Sequence, residues 1–164
     1  MSEPGFRIEK VDVDDPRAVA LRDILDADLG ERYAEADADD SPEIAANREA
    51  ALAVHPEQVV ATLLAIDADD TTLGHVILRR LGEEWELKRL IVVPAARRRG
   101  VGSALTTTVV DLARRGGARR VILQSGRMQP ESLHMYAAAG FTPIPVYEPY
   151  IETMPRSLCF EYVF

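Results

Sequence analysis

Apolar residues at Phe6, Ile8, Val11 and Val13, set among polar ones, predict a first strand. Asp14 or Asp15 then stands before Pro16, an arrangement that starts a helix with an acidic cap and proline in the first position. That helix is expected to run to about Tyr33, with Val19, Ile24, Leu25 and Leu29 as its buried stripe. Glu35–Ser41 reads as a loop, and Ser41-Pro42 opens a second helix that continues through Leu52. Val59–Ile66 and Leu73–Leu81 flank Asp67-Ala68-Asp69-Asp70 and predict an antiparallel hairpin. After a turn at Gly82, Trp85–Val93 forms a further strand that ends at Pro94. Gly102–Arg115 is expected to be helical, with Leu105, Val109 and Leu112 facing inward and Gly116-Gly117 stopping it. Arg119–Gln124 is a short strand, and Pro130–Ala139 is a helix closed by Gly140. Pro143, Pro145 and Pro149 keep the next segment extended or looped, and Ser157–Phe164 is the last strand.

This order predicts an α/β fold: one sheet of mixed, mostly antiparallel direction with helices on both faces, in a single domain over residues 1–164. The Trp85 strand, the Gly102 helix and the Arg119 strand make a right-handed crossover, so those two strands should be parallel.

Composition sets the class. A hydrophobic share of 47% beside 28% charged residues suits a globular chain, and no apolar run approaches the ~20 residues that span a bilayer. Met1–Gly5 lacks a basic segment followed by an apolar one, so no secretory leader is expected. Cys159 stands alone and cannot form an internal disulfide, which points to a reducing cytoplasm. Charge is uneven: residues 1–70 carry 19 acids and 6 bases, residues 71–164 carry 8 acids and 13 bases. The net charge of −8 argues against general nucleic-acid binding. The basic second half is nonetheless suited to a small anionic ligand.

One turn carries the candidate chemistry. In Pro94-Ala95-Ala96-Arg97-Arg98-Arg99-Gly100-Val101-Gly102-Ser103-Ala104, two glycines expose backbone where a strand passes into a helix. The helix start offers unpaired N–H groups and a positive dipole end, and three arginines add charged donors. A mononucleotide P-loop would need Lys before Ser103, and a dinucleotide fingerprint would need a small residue at Leu105. Neither fits.

Arg97-x-x-Gly100-x-Gly102 resembles the pyrophosphate signature of the GNAT (GCN5-related N-acetyltransferase) superfamily, Gln/Arg-x-x-Gly-x-Gly/Ala. Gln129–Phe141, a helix with Tyr136 near its end followed by Gly140-Phe141, resembles that family's later motif, in the expected order and spacing. The likeness covers about residues 73–164; the first 70 match in layout only.

The resemblance implies acetyl-CoA as co-substrate, with no metal. It implies that the strand before the signature and the next parallel strand splay apart to admit the pantetheine arm. Leu90, Ile91 and Val92 would then offer backbone hydrogen bonds, and Arg97, Arg98, Arg99, Gly100, Val101, Gly102 and Ser103 would surround the pyrophosphate. Gln129 stands where relatives often place Asn against the cofactor. Tyr136 matches the family's general acid, and Glu86 a general base used in one branch; Gln124 replaces a carboxylate used in another. His75 and water are alternative bases. The expected reaction is N-acetylation of a primary amine of a small molecule or peptide. The alternative is a non-catalytic CoA-binding regulatory domain; a nucleotide-binding module fits less well. Asp37, Asp39, Asp40 and Glu43 are a candidate lure for a cationic acceptor. Dimers through the terminal strands, common in the family, are a further expectation.

Overall fold

The aspartate–proline pair starts the first helix as expected: Asp15 accepts the N–H of Arg17, and α1 runs over Pro16–Tyr33. This is a computed structural model that describes residues 5–164. Met1–Pro4, on which much of the reading of a missing leader falls, lie outside the described residues. The other elements are β1 (Phe6–Val11), α2 (Pro42–Leu52), β2 (Val59–Asp67), β3 (Thr72–Leu81), β4 (Glu84–Val92), α3 (Val101–Arg115), β5 (Arg120–Ser125), α4 (Pro130–Ala138), β6 (Thr142–Ile144), α5 (Tyr150–Thr153) and β7 (Leu158–Val163). They build one seven-stranded sheet in the order β1-β2-β3-β4-β5-β7-β6. Only β4 and β5 run parallel; the other neighbours are antiparallel. No helix among the described residues is long and apolar enough to cross a membrane.

Alternation along the strands divides the core between two faces. On one, Leu63, Ala65, Val76, Leu78, Leu87 and Leu123 meet Val101, Leu105 and Val109 of α3. Each such large aliphatic side chain contributes about 1.5–3 kcal/mol through burial. On the other, Leu64 and Ile66 meet Ala18 of α1, with Val11 at the margin. Helices thus cover both faces.

Three expectations change. The first strand ends at Val11 instead of reaching Val13. In α1 the residues buried are Ala18 and Leu21, while Val19 and Ile24 are exposed by 37% and 57%. The helix is turned so that Ile24, Leu25, Asp28 and Arg32 face a cleft instead of the sheet. The proline-rich stretch holds two elements that its composition hides, the edge strand β6 and the single turn α5. Pro143 is tolerated because β6 is an edge strand with β7 as its partner.

The crossover expectation holds, and its geometry opens the site. Trp85, Glu86 and Leu87 pair with Val121, Ile122 and Leu123. Beyond these three pairs β4 continues to Val92 and β5 to Ser125 without pairing to each other. The divergence begins at a bulge: on β3, His75 faces Ile91 but Ile77 faces Lys88, so β4 carries an extra residue there. Arg89 adopts φ of 60° at this point.

Candidate active site

The bulge is pinned by a buried histidine. His75 Nδ1 donates to the carbonyl oxygen of Arg89 at 2.8 Å. Its Nε2 lies 3.0 Å from Arg22 Nη1, which can only donate, so Nε2 accepts and the ring is neutral. Burial pushes the imidazole down to about 4, which keeps it in that form. His75 is therefore a fastener for the splayed strand, a role that its place on an apolar strand does not announce.

Gly74, its neighbour, sets how closely α3 approaches. A Cβ there would stand 2.8 Å from Val101 Cγ1 and 2.9 Å from both Leu105 Cδ1 and the carbonyl oxygen of Ile91. A glycine inside a strand is the one sequence signal of such contact.

The turn after β4 has the character expected of it. Gly100 caps α3 in the left-handed conformation, φ 78°, with no side chain closing the helix start. The first intrahelical bond of this start is Ala104 N–H to Gly100 O at 3.0 Å, so the N–H groups of Val101, Gly102 and Ser103 point outward. Gly102 is not required by packing, since a Cβ there would meet only ordinary contacts, the nearest at 3.5 Å. What a side chain at 102 would fill is the approach to those donors.

A cleft of about 820 Å³ leads from this turn along the open side of β4. Leu90, Ile91, Val92, Arg97, Arg98, Gly100, Val101, Gly102, Ser103 and Gln129 all line it. Arg99 is not among its lining residues. The floor of the cleft is the unpaired edge of β4, and its far wall is α4 with α1 above. Gln129 precedes α4 and accepts the N–H of Gly126 at 3.1 Å, which shapes the loop after β5. Arg32 and Tyr33, at the end of α1, hold the same loop through Met128 O and Met128 N–H, both at 3.0 Å.

At its inner end the cleft meets a smaller cavity of about 70 Å³, with Leu25, Leu90, Gln129 and Ser132 common to both. Tyr136 and Glu86, the two sequence candidates for acid and base, both line this cavity. Tyr136 is 5% exposed, packs edge-on to Phe141, and makes no protein hydrogen bond among the described residues. Burial pushes its phenol well up from the usual value, so the proton stays on the oxygen through the neutral range.

Glu86 sits in a network that the sequence did not disclose. Its Oε1 accepts from Arg79 Nε at 2.6 Å, while Oε2 accepts from Tyr147 at 2.6 Å and Tyr150 at 3.1 Å. The arginine partner, Arg79, stands directly opposite on β3. Three of the roughly four lone-pair positions of the carboxylate are thus occupied. Burial and the Glu86 carboxylate push both tyrosines upward. Gln124 turns to Ser157, donating at 2.8 Å.

The comparisons with known proteins agree with this construction. A family model described as "Acetyltransferase (GNAT) family" matches residues 18–141. The chain belongs to the GNAT acetyltransferase family. Over 85 residues this GNAT chain is 36% identical to human N-acetyltransferase 8, covering 52% of the chain and 34% of that relative. The mouse protein of the same name is 34% identical over 84 residues, 51% of the chain and 34% of the relative. The aligned region thus spans about a third of the length of these relatives. Among solved structures, a Klebsiella pneumoniae protein assigned to the acyl-CoA N-acyltransferases superposes with a TM-score of 0.76 at 20% identity, covering 98% of this chain and 99% of that one. A GNAT family acetyltransferase from Elizabethkingia anophelis, solved with acetyl-CoA bound, gives 0.65 at 15% identity, covering 99% and 100%. These structural likenesses speak to the fold.

Proposed function

We propose that this GNAT domain, over residues 1–164, moves the acetyl group of acetyl-CoA directly to a primary amine of a small molecule or peptide. The observation that carries the reading is the gap where β4 and β5 part, which opens directly onto the free N–H groups at the start of α3. The residues present fit the cofactor. Val101, Gly102 and Ser103 would bind pyrophosphate oxygens through backbone N–H groups, with Arg97 and Arg98 adding charge. The unpaired edge of β4 at Leu90–Val92 would receive the extended arm by strand-like hydrogen bonds. Bound acetyl-CoA supplies an activated thioester, so no metal is needed for the transfer.

Around the inner cavity, Tyr136 holds a proton in position for the leaving thiolate. Glu86 keeps one lone-pair position free on Oε1, and we assign it the proton of the incoming amine, received through water. Its carboxylate is already engaged by Arg79, Tyr147 and Tyr150, which favours a second reading: a CoA-binding domain without turnover. Cys159, free and buried, fits a reducing compartment such as the cytoplasm.

Thiol release from acetyl-CoA across a panel of primary amines tests the reading. Tyr136→Phe is expected to lower turnover about 100-fold with acetyl-CoA affinity changed less than about threefold. Unchanged turnover would remove Tyr136 from this role. Acetyl-CoA binding with no amine consumed would favour the domain without turnover.

A further inference from the structure

Lys88 is 6% exposed and lines the inner cavity beside Glu86 and Tyr136. Its Nζ donates to Tyr150 Oη at 3.3 Å, its only hydrogen bond among the described residues. That oxygen is already shared with Arg79 and Glu86. No carboxylate among the described residues lies within 4.0 Å of Lys88 Nζ.

The charges around it are matched differently. Arg79 is paired with Glu86, and Arg89 with Asp26. Arg22, the next cation on this side of the sheet, is bonded to His75 and to the carbonyl oxygen of Val13. Protonated, Lys88 thus has two uncommitted N–H donors, buried against a small cavity beside the Glu86–Arg79 pair and near Arg89. An unpaired buried charge is costly, and a methionine of similar length would fill the position without that cost. Burial lowers the affinity of this amine for its proton to about 7, against the opposing pull of the nearby Glu86 carboxylate.

Two of the four acids between α1 and α2 that are the sequence's candidate lure for a cationic acceptor, Asp37 and Asp40, are held by one arginine. Arg48 binds Asp40 at 2.5 Å and Asp37 at 3.5 Å. The unmatched charge that faces the cavity is positive.

We infer that Lys88 is an anion subsite for the acceptor, reading a carboxylate carried close to the amine that is acetylated, as in an α-amino acid. The inference rests on the amine-acetylation reading above. The cavity of about 70 Å³ holds only a small group, so the carboxylate must lie within a few bonds of the nucleophile.

The test compares free α-amino acids with uncharged side chains against their α-carboxamides, by thiol release at saturating acetyl-CoA. Wild-type protein should prefer the carboxylates by at least about tenfold in kcat/KM, a typical worth of a charge-assisted hydrogen bond. In Lys88→Met that preference should shrink to within about threefold, and Lys88→Arg should retain part of it. Acetyl-CoA affinity and thermal midpoint report that the variants are folded, and Lys88→Gln serves if the methionine variant is not. Equal use of carboxamides, or a preference that survives Lys88→Met, overturns the subsite while amine acetylation stands. Binding of N-acetyl amino acids to the protein with CoA, followed by calorimetry, separates the two ideas. If no amine is acetylated yet these products bind at least about tenfold more weakly to Lys88→Met, the subsite stands and the transfer reading falls. If neither is seen, both fall.

Discussion

His75 and Glu86 are both titratable, both buried, and both were candidate bases, yet their surroundings give them different work. His75 has a donor and an acceptor on opposite sides, so its neutral ring is the form the fold needs. Its pKa is about 4 in the folded chain against 6.5 for the free group. Between those values the unfolded chain binds more protons, so stability is expected to fall as pH drops from 6.5 toward 4. The difference should be about 3 kcal/mol at the acid end, read from urea unfolding of wild type against His75→Gln, which carries a donor and an acceptor without titrating. A parallel pH response in the two proteins would free His75 from this role. Glu86 was legible as a strand residue aimed at the cleft, because period-two alternation separates it from Trp85. Its three partners were not legible. Arg79 depends on cross-strand register, and Tyr147 and Tyr150 come from the proline-rich stretch more than 60 positions away.

At the scale of elements, β4, α3 and α4 were readable because each carries a strong local signal: a β-rich run, a two-glycine turn, and a helix closed by glycine. Helix α1 was readable in extent and misread in orientation. Its apolar positions serve two surfaces, Ala18 and Leu21 toward the sheet and Ile24 and Leu25 toward the cleft, so no single stripe exists to be found. The β4 bulge leaves no mark in a periodicity count, since it shifts register by one residue only. Its neighbour on β3 does leave one, Gly74. With three atoms inside 3.0 Å of a built Cβ, two of them on Val101 and Leu105, Gly74→Val must push α3 from the sheet. We expect a loss of about 2 kcal/mol or more, and acetyl-CoA binding weakened beyond what the stability loss explains, because the start of α3 moves with it. Calorimetric unfolding with and without acetyl-CoA measures both; a variant as stable as wild type would show that the helix can move without penalty.

The whole molecule sets two fields against each other. Its net charge of −8 repels a polyanionic cofactor, while residues 71–164, with 13 bases against 8 acids, attract it. Distance decides which prevails. At 0.1 M salt, charges more than about 10 Å apart are largely screened. The acidic excess of residues 1–70 includes Asp37 and Asp40, held by Arg48, and an α1 that spends Asp26 on Arg89 and Asp28 on Arg32. Arg97 and Arg98 line the cleft itself and are exposed. The short-range term should therefore dominate, and raising salt from about 0.05 to about 0.5 M is expected to weaken acetyl-CoA binding by about tenfold despite the negative net charge. Arg98→Ala should weaken binding at low salt and flatten this dependence, since it removes one of the charges being screened. Titration calorimetry across the salt series measures both slopes. Binding that strengthens with salt would mean that the long-range acidic field outweighs the turn, and that the backbone donors of Val101–Ser103 hold the cofactor with little help from the arginines.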